Sequence, residues 1–477
     1  MTLTSIHAKP MLRRGDPVRV AELDIAHAAL AQRKTELLKE LGEVDQALWW
    51  NESERASHFV PVHLLSDDIL KHIFEDVCDH PVSEECSENN LPMKLSQVSR
   101  WWRLTALSLP NIWRCIQVGW PLSLLEVWLE RSGATPIHVI WRHFPSVVSS
   151  SSTALPRSRE KCAHSLATIF GYAARWVRCD IDVPDTALLK TFLEVFGDVD
   201  VPLLEYLRFG DDATCRALLH PYEGYRLPPC PKLAFLSSRA AAISFHTTSF
   251  PNLKTLTLQR QTVSIDDLFI LSKAAPNLTS LSLLEIEGEF NSGHGRSRVA
   301  DFPRLETLVL SSISEWEYLL AQLEIPALET FECRHVTLWS TTRLEIDRFP
   351  TLPALHCIRF PECTGGDVSL TYNPEVARLF HYTPNVTHLD LTGCTQTWII
   401  VIPLLIPGDS GELLPRLEVL TLGKFDADYD DVLFSFVQRR APSVAPLKEL
   451  RVGWKLYENM DPVRLVALGE LVTITIS

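Results

Sequence analysis

Cys333 and His335 stand two residues apart in "ECRH", where a thiol and a possible base are close in sequence. Cys333 fills an apolar slot of a strand-like segment, so packing in a core is the expectation for it. The acids of "DADYDD" (Asp426 to Asp431) open like a calcium loop. Asp431 stands where that loop needs glycine and Val437 where it needs glutamate, so a solvated helix start is expected instead. Eleven cysteines are scattered from Cys78 to Cys394 with no C-x-x-C pair. That favours reduced thiols over a disulfide framework or a zinc site. "NLT" and "NVT" fit the glycosylation pattern, but both fall inside repeated motifs. The phosphate loop, the dinucleotide loop, G-x-S-x-G and H-E-x-x-H are all missing from the sequence. No catalytic residue, cofactor or metal is expected, and an enzyme with an unrecognised site finds no support.

A second group of residues is suited to contact. "LSQVSRWWRLTALS" (Leu95 to Ser108) and "LPNIWRCI" (Leu109 to Ile116) bring Trp101, Trp102 and Trp113 together. They could be the core of a small domain, a stacking platform for bases, or a surface for a protein partner. A stacking platform wants basic residues interleaved along a groove. Arg100, Arg103 and Arg114 are present, but an acidic loop (Asp79 to Asn90) lies close by. Across 477 residues, Lys and Arg number 45 against 59 Asp and Glu, for a net charge of −14. A chain this acidic lacks the field that steers proteins onto phosphate backbones, so nucleic acid is not an expected partner.

Composition describes an ordinary globular chain, with 46% apolar and 22% charged residues and length for two or more domains. The opening "MTLTSIHAKPMLRRGDP" has no apolar core of a secretory signal. The run "WIIVIPLLIP" (Trp398 to Pro407) is too short to span a bilayer and is interrupted by Pro403. No membrane partner is expected, and a soluble cytoplasmic or nuclear chain is.

The elements that position these residues follow from periodicity. Between Val20 and Trp50, Leu23, Ala26, Leu30, Leu37, Leu41, Val44 and Leu48 recur at helical spacing. Leu23, Leu30 and Leu37 keep a strict heptad, which admits a short coiled coil; a helix folding back on its neighbours is the favoured expectation. In residues 61–116, Ser66 should cap a helix that opens with Asp67 and Asp68. Along it Leu65, Ile69 and Ile73 are four apart, as are Leu70 and Phe74, a surface wide enough for two faces. A second helix carries Leu95, Val98 and Trp102, and Trp101, out of phase, should pack on the segment that follows. A serine-rich loop comes next, flanked by strand-like "TPIHVIWR" and "RWVRCDIDV".

From residue 201 the frame Pro-x-Leu-x-x-Leu-x-Leu recurs, in "FPNLKTLTL", "APNLTSLSL", "FPRLETLVL", "TPNVTHLDL" and "LPRLEVLTL" and in weaker copies. Successive prolines lie 20 to 31 residues apart, a period that belongs to stacked supersecondary units. The Leu-x-Leu end is a short strand. "SIDDLFILSKAA" then reads as a helix with Ser264 as N-cap and Leu268, Leu271 and Ala275 at helical spacing. One such unit cannot bury its apolar face alone, but a stack of them can.

This pattern resembles the leucine-rich repeats. That family has Asn or Cys three residues after the second strand leucine, closing the turn. Only "LDLTGC", with Cys394, has it here, so the turns must be satisfied in another way. Residues 61–118 resemble an F-box: "LLSDDILKHIF", "LSQVSRWWRLTA" and "PNIW" fill the family's slots in order, with Leu65 in place of the usual proline. The order is similar to that of the large fungal F-box families.

The resemblance implies an α/β chain of four parts. These are an N-terminal helical segment (1–60), a three-helix F-box (61–118), a connector with irregular first repeats (119–200), and an irregular leucine-rich-repeat solenoid with a parallel sheet (201–477). It implies that Leu64, Leu65, Ile69, Leu70, Ile73, Phe74, Val98, Trp102 and Trp113 face or support a Skp-type adaptor, and through it a cullin. The repeats would then hold an unknown protein substrate on the residues between the strand leucines: Arg208, Ser237, Thr257, Ser282, Val309, Glu332, Arg359, Asp390, Thr421 and Arg451. The implied function is the substrate-recognition subunit of an SCF-type ubiquitin ligase. The alternative is a non-catalytic repeat scaffold that does not direct ubiquitination.

Overall fold

The structure is a computed structural model. It describes residues 17–57, 65–79, 90–142, 164–183, 186–211, 224–246, 248–288, 290, 299–313, 316–335, 350–361, 374–393, 398–406, 413–423, 430–441 and 446–476. Helices and strands are mixed, and the chain divides into two compact units, Met1–Ile112 and Trp113–Ser477.

The first unit is helical. It contains α1 (Pro17–Ser57), α2 (Asp67–Asp79), α3 (Leu91–Val98) and α4 (Arg100–Leu107), of which the last three pack on one another. Ser66 begins α2 as expected, its Oγ accepting from the Ile69 N–H at 3.4 Å. The single second helix expected between Leu95 and Trp102 is two helices. Ser99 takes an extended conformation between them (φ −155°, ψ 168°). Its Oγ then accepts from the Trp102 N–H at 3.1 Å, capping α4. An internal serine with capping capacity thus broke a stripe that periodicity alone carries through. Trp101 is also corrected. It turns back to α2, its indole N–H donating to Asp67 Oδ1 at 2.8 Å.

The expectation for α1 is overturned as well. Leu23, Leu30, Leu37, Leu41, Val44 and Leu48 all stand in solvent, so the stripe is not folded back onto the chain. Periodicity reports that a face is apolar; it carries no information about what covers it.

The second unit is dominated by one parallel sheet of fourteen strands laid down in chain order, from Cys115–Gln117 to Thr473–Ile476. The sheet begins well before residue 201. Cys115–Gln117, Ile137–Arg142 and Trp176–Val183 are its first strands; the last two are the strand-like segments expected in the connector with irregular first repeats, and the first was not expected. The frame leucines form in-register buried ladders: Leu256 lies beside Leu281, then Leu308, then Phe331, all fully buried. Alternation does this, because in "TLTLQ" the leucines point to one face and Thr255, Thr257 and Gln259 to the other. Between strands, Ile265–Ala274 is the expected crossover helix. Ser264 Oγ accepts from the Asp267 N–H at 3.2 Å, and the Ser264 N–H donates back to Asp267 at 2.9 Å.

The turns are satisfied in two other ways. The residue directly after each of five successive strands (Ala240, Arg260, Glu285, Ser312 and His335) has a positive φ of 49° to 59°. The N–H groups of the first four bond to the next unit's backbone, as Arg260 does to the Leu284 carbonyl at 2.9 Å. Asparagines supply the second device. Asn252, Asn277 and Asn385 donate to the carbonyls of Pro231, Pro251 and Pro353 at 2.6–2.8 Å, each reaching the preceding unit. Both "NLT" and "NVT" therefore use their asparagine amides to hold neighbouring units together.

Candidate functional site

Two surfaces concentrate the residues singled out by the sequence. On α2, Leu70 and Phe74 are fully buried, and the Phe74 ring meets Trp102 edge-on with centroids 5.0 Å apart. The opposite side carries Ile69, Ile73 and Val77, one turn apart and 49%, 40% and 43% exposed. This helix therefore has two apolar faces, one anchored and one in water. Sequence reasoning passed over Val77, although it is simply the next residue four beyond Ile73.

The other residues of that group scatter. Leu65 and Trp102 are half-buried, and Val98 is exposed at the end of α3. Leu64 lies outside the described residues. Trp113 is fully buried and belongs to the second unit. Its ring packs edge-on against Trp128 at 4.7 Å, with the Arg131 guanidinium 4.4 Å from its centroid. Leu104 and Leu107 of α4 are further exposed leucines that the motif did not single out.

In the second unit, the row expected from the sequence is one continuous ladder. Arg208, Ser237, Thr257, Ser282, Val309, Glu332, Arg359, Asp390, Thr421 and Arg451 pair in register across ten adjacent strands. Asp180 extends it at one end and Thr475 at the other.

Most of the charged members lie beside an opposite charge. Arg208 lies 4.0 Å from buried Asp180. Glu332, also buried, accepts from Arg334 and lies 3.8 Å from Arg359. Asp390 accepts the Thr392 N–H at 2.9 Å, and Arg451 makes a two-point contact with Glu449 at 2.9 and 3.0 Å. Those hydrogen bonds, Arg451 first and Thr475 next, hold the Glu449 carboxyl below its usual range. Burial, with Arg451 and His356 nearby, pushes the His388 imidazole down.

Between the charged ends, the hydroxyls of Thr257 and Ser282 have no partner among the described residues. Beside this strip the rings of Tyr206 and Phe235 stack at 4.3 Å, with the Arg178 guanidinium 3.8 Å over Tyr206. Such a surface offers hydroxyls, aromatic rings and charges of both signs.

Cys333 is fully buried in its strand. A pair invisible in the sequence, Cys115 and His138, meets across adjacent strands at 4.0 Å, longer than the roughly 2.6–3.2 Å reach of proton transfer. Asp430 and Asp431 open the helix Asp430–Arg440, and Asp431 pairs with Arg464 at 2.6 Å. Among the described residues, no group of three or more His, Cys, Asp or Glu could hold a metal ion, and no helix is long and apolar enough to cross a membrane. A cavity of about 150 Å³ lies beside Phe245, Gln261 and Leu268, below the roughly 300–1,000 Å³ of small-molecule pockets. No family model and no curated protein matches this chain.

Proposed function

We propose that this protein is the substrate-recognition subunit of an SCF-type ubiquitin ligase. Its F-box-like unit would dock on a Skp-type adaptor, and its leucine-rich-repeat-like sheet would hold a substrate protein. The observation that carries the reading is the outward stripe of Ile69, Ile73 and Val77 on a helix fixed from behind by Leu70 and Phe74. Three large apolar side chains at successive turns are an anchor row for a protein groove, each worth roughly 1.5–3 kcal/mol when fully covered. The repeats contribute the in-register ladder, whose paired charges leave a largely neutral strip for the substrate. The protein would do no bond chemistry. It would hold substrate lysines at high effective concentration near a ubiquitin-charged enzyme.

The test is co-expression of the full chain with a Skp-type adaptor and a cullin, followed by size-exclusion chromatography. The wild type should elute in one peak with both, and Ile69→Asp with Ile73→Asp should elute alone while still folded. Co-elution with the adaptor but not the cullin would favour the scaffold. No co-elution of the folded wild type would reject the reading.

A further inference from the structure

Helix α1 leaves an apolar seam in water. Leu23, Leu30, Leu37 and Val44 recur every seven residues, and Leu41 and Leu48 stand four beyond Leu37 and Val44. In heptad terms the first set occupies d, and the second shares the a column with His27 and Lys34. Every one of these side chains is exposed. A helix draws most of its stability from packing an apolar face, and this face is unpacked along about 40 Å of its length.

We infer that α1 pairs with α1 of a second copy of this chain, antiparallel, about a two-fold axis between Thr35 and Glu36. In that register Leu23 meets the second copy's Leu48, His27 its Val44, Leu30 its Leu41, and Lys34 its Leu37. Both polar a residues then lie against an apolar d residue, where the Lys34 stem packs and its ammonium reaches water.

The flanks choose the direction. Arg33 faces Glu40 of the second copy, twice by symmetry, and Ala26 faces Ala47. Arg33 already reaches along this flank to Glu36 at 3.2 Å and Glu40 at 3.8 Å within its own helix. On the other flank Ala31 meets Leu38, and the only like-charge pair, Asp24 with Asp45, lies toward the ends of the overlap. A parallel pair would stack Lys34 on Lys34 and His27 on His27, and would set Glu40 beside Asp45 on both sides. Charge complementarity therefore selects the antiparallel dimer.

Light scattering of the full chain over a concentration series tests this. The wild type should show dimer mass at micromolar concentration and dissociate on dilution. Leu30→Asp with Leu37→Asp should stay monomeric throughout while keeping the wild-type thermal transition of the second unit. Arg33→Glu and Glu40→Arg should each weaken the dimer by roughly fivefold to tenfold, and their combination should restore it. A wild type that is monomeric at every concentration overturns the pairing. So does a dimer indifferent to the Leu30 and Leu37 changes. Tightening by Glu40→Arg alone overturns the antiparallel register, because only a parallel pair gains from removing Glu40.

Discussion

Leu30 in α1 and Leu256 in the sheet are the same residue set in equally regular patterns, yet one is 71% exposed and the other fully buried. The difference lies in what the chain places beside each. In the second unit, the frame leucines find their cover in the next copy of their own motif, so the pattern completes itself. In the first unit the pattern occurs once, and the outer faces of α1 and α2 have no neighbouring copy to lie on. Regular apolar spacing buries a residue only where the chain also supplies the second surface. Where it does not, the face is available to another molecule.

The largest effects should come from breaking buried anchors on each side of this contrast. Phe74→Ala should cost about 3–5 kcal/mol in denaturant unfolding of the first unit, against about 0.5 or less for neighbouring Ile73→Ala. Leu281→Ala should cost about 2–5 kcal/mol in the second unit, whereas Leu30→Ala should leave the unfolding of that unit unchanged. Next in size is Glu332→Gln. It leaves Arg334 and Arg359 without their shared carboxylate, a loss of about 1–3 kcal/mol measurable by urea titration. Ser312→Gly should act in the opposite direction. Glycine accepts the 55° φ freely, so the thermal midpoint should rise by the equivalent of about 0.5–1 kcal/mol.

The smallest effect is a pH dependence. The folded His388 binds its proton less readily than an unfolded histidine, whose ordinary pKa is about 6.5. Its contribution is therefore complete above that value and is lost as pH falls through the lower folded one. Unfolding midpoints at pH 7.5 and 5.5, compared between wild type and His388→Gln (roughly bracketing that window), should show a smaller acid loss in the variant.

Where the pattern completes itself, the sequence was nearly sufficient. The frame placed ten residues, Arg208 to Arg451, that share one ladder, and the Ser264 capping box was visible in its letters. Three features were hidden for physical reasons. Ser99 ends a helix inside an unbroken apolar stripe, because its hydroxyl competes for a backbone donor that periodicity ignores. The first strand, Cys115–Gln117, lies in the stretch read as F-box, lacks the proline frame and joins the sheet through backbone pairing. The turn residues Ala240, Arg260, Glu285, Ser312 and His335 share a conformation but no side-chain type, so no letter marks them. On α2 the spacing revealed two apolar faces, and only the structure distinguished the anchored Leu70 and Phe74 from the outward Ile69 and Ile73.

The most direct measurement pairs folding with binding in one variant. Ile69→Asp with Ile73→Asp would be titrated calorimetrically with a Skp-type adaptor and unfolded in denaturant, beside the wild type. The unfolding midpoint should equal the wild type's, and the adaptor affinity should be weaker by roughly a hundredfold or more. An adaptor affinity equal to the wild type's, in a chain equally well folded, would contradict the proposed docking.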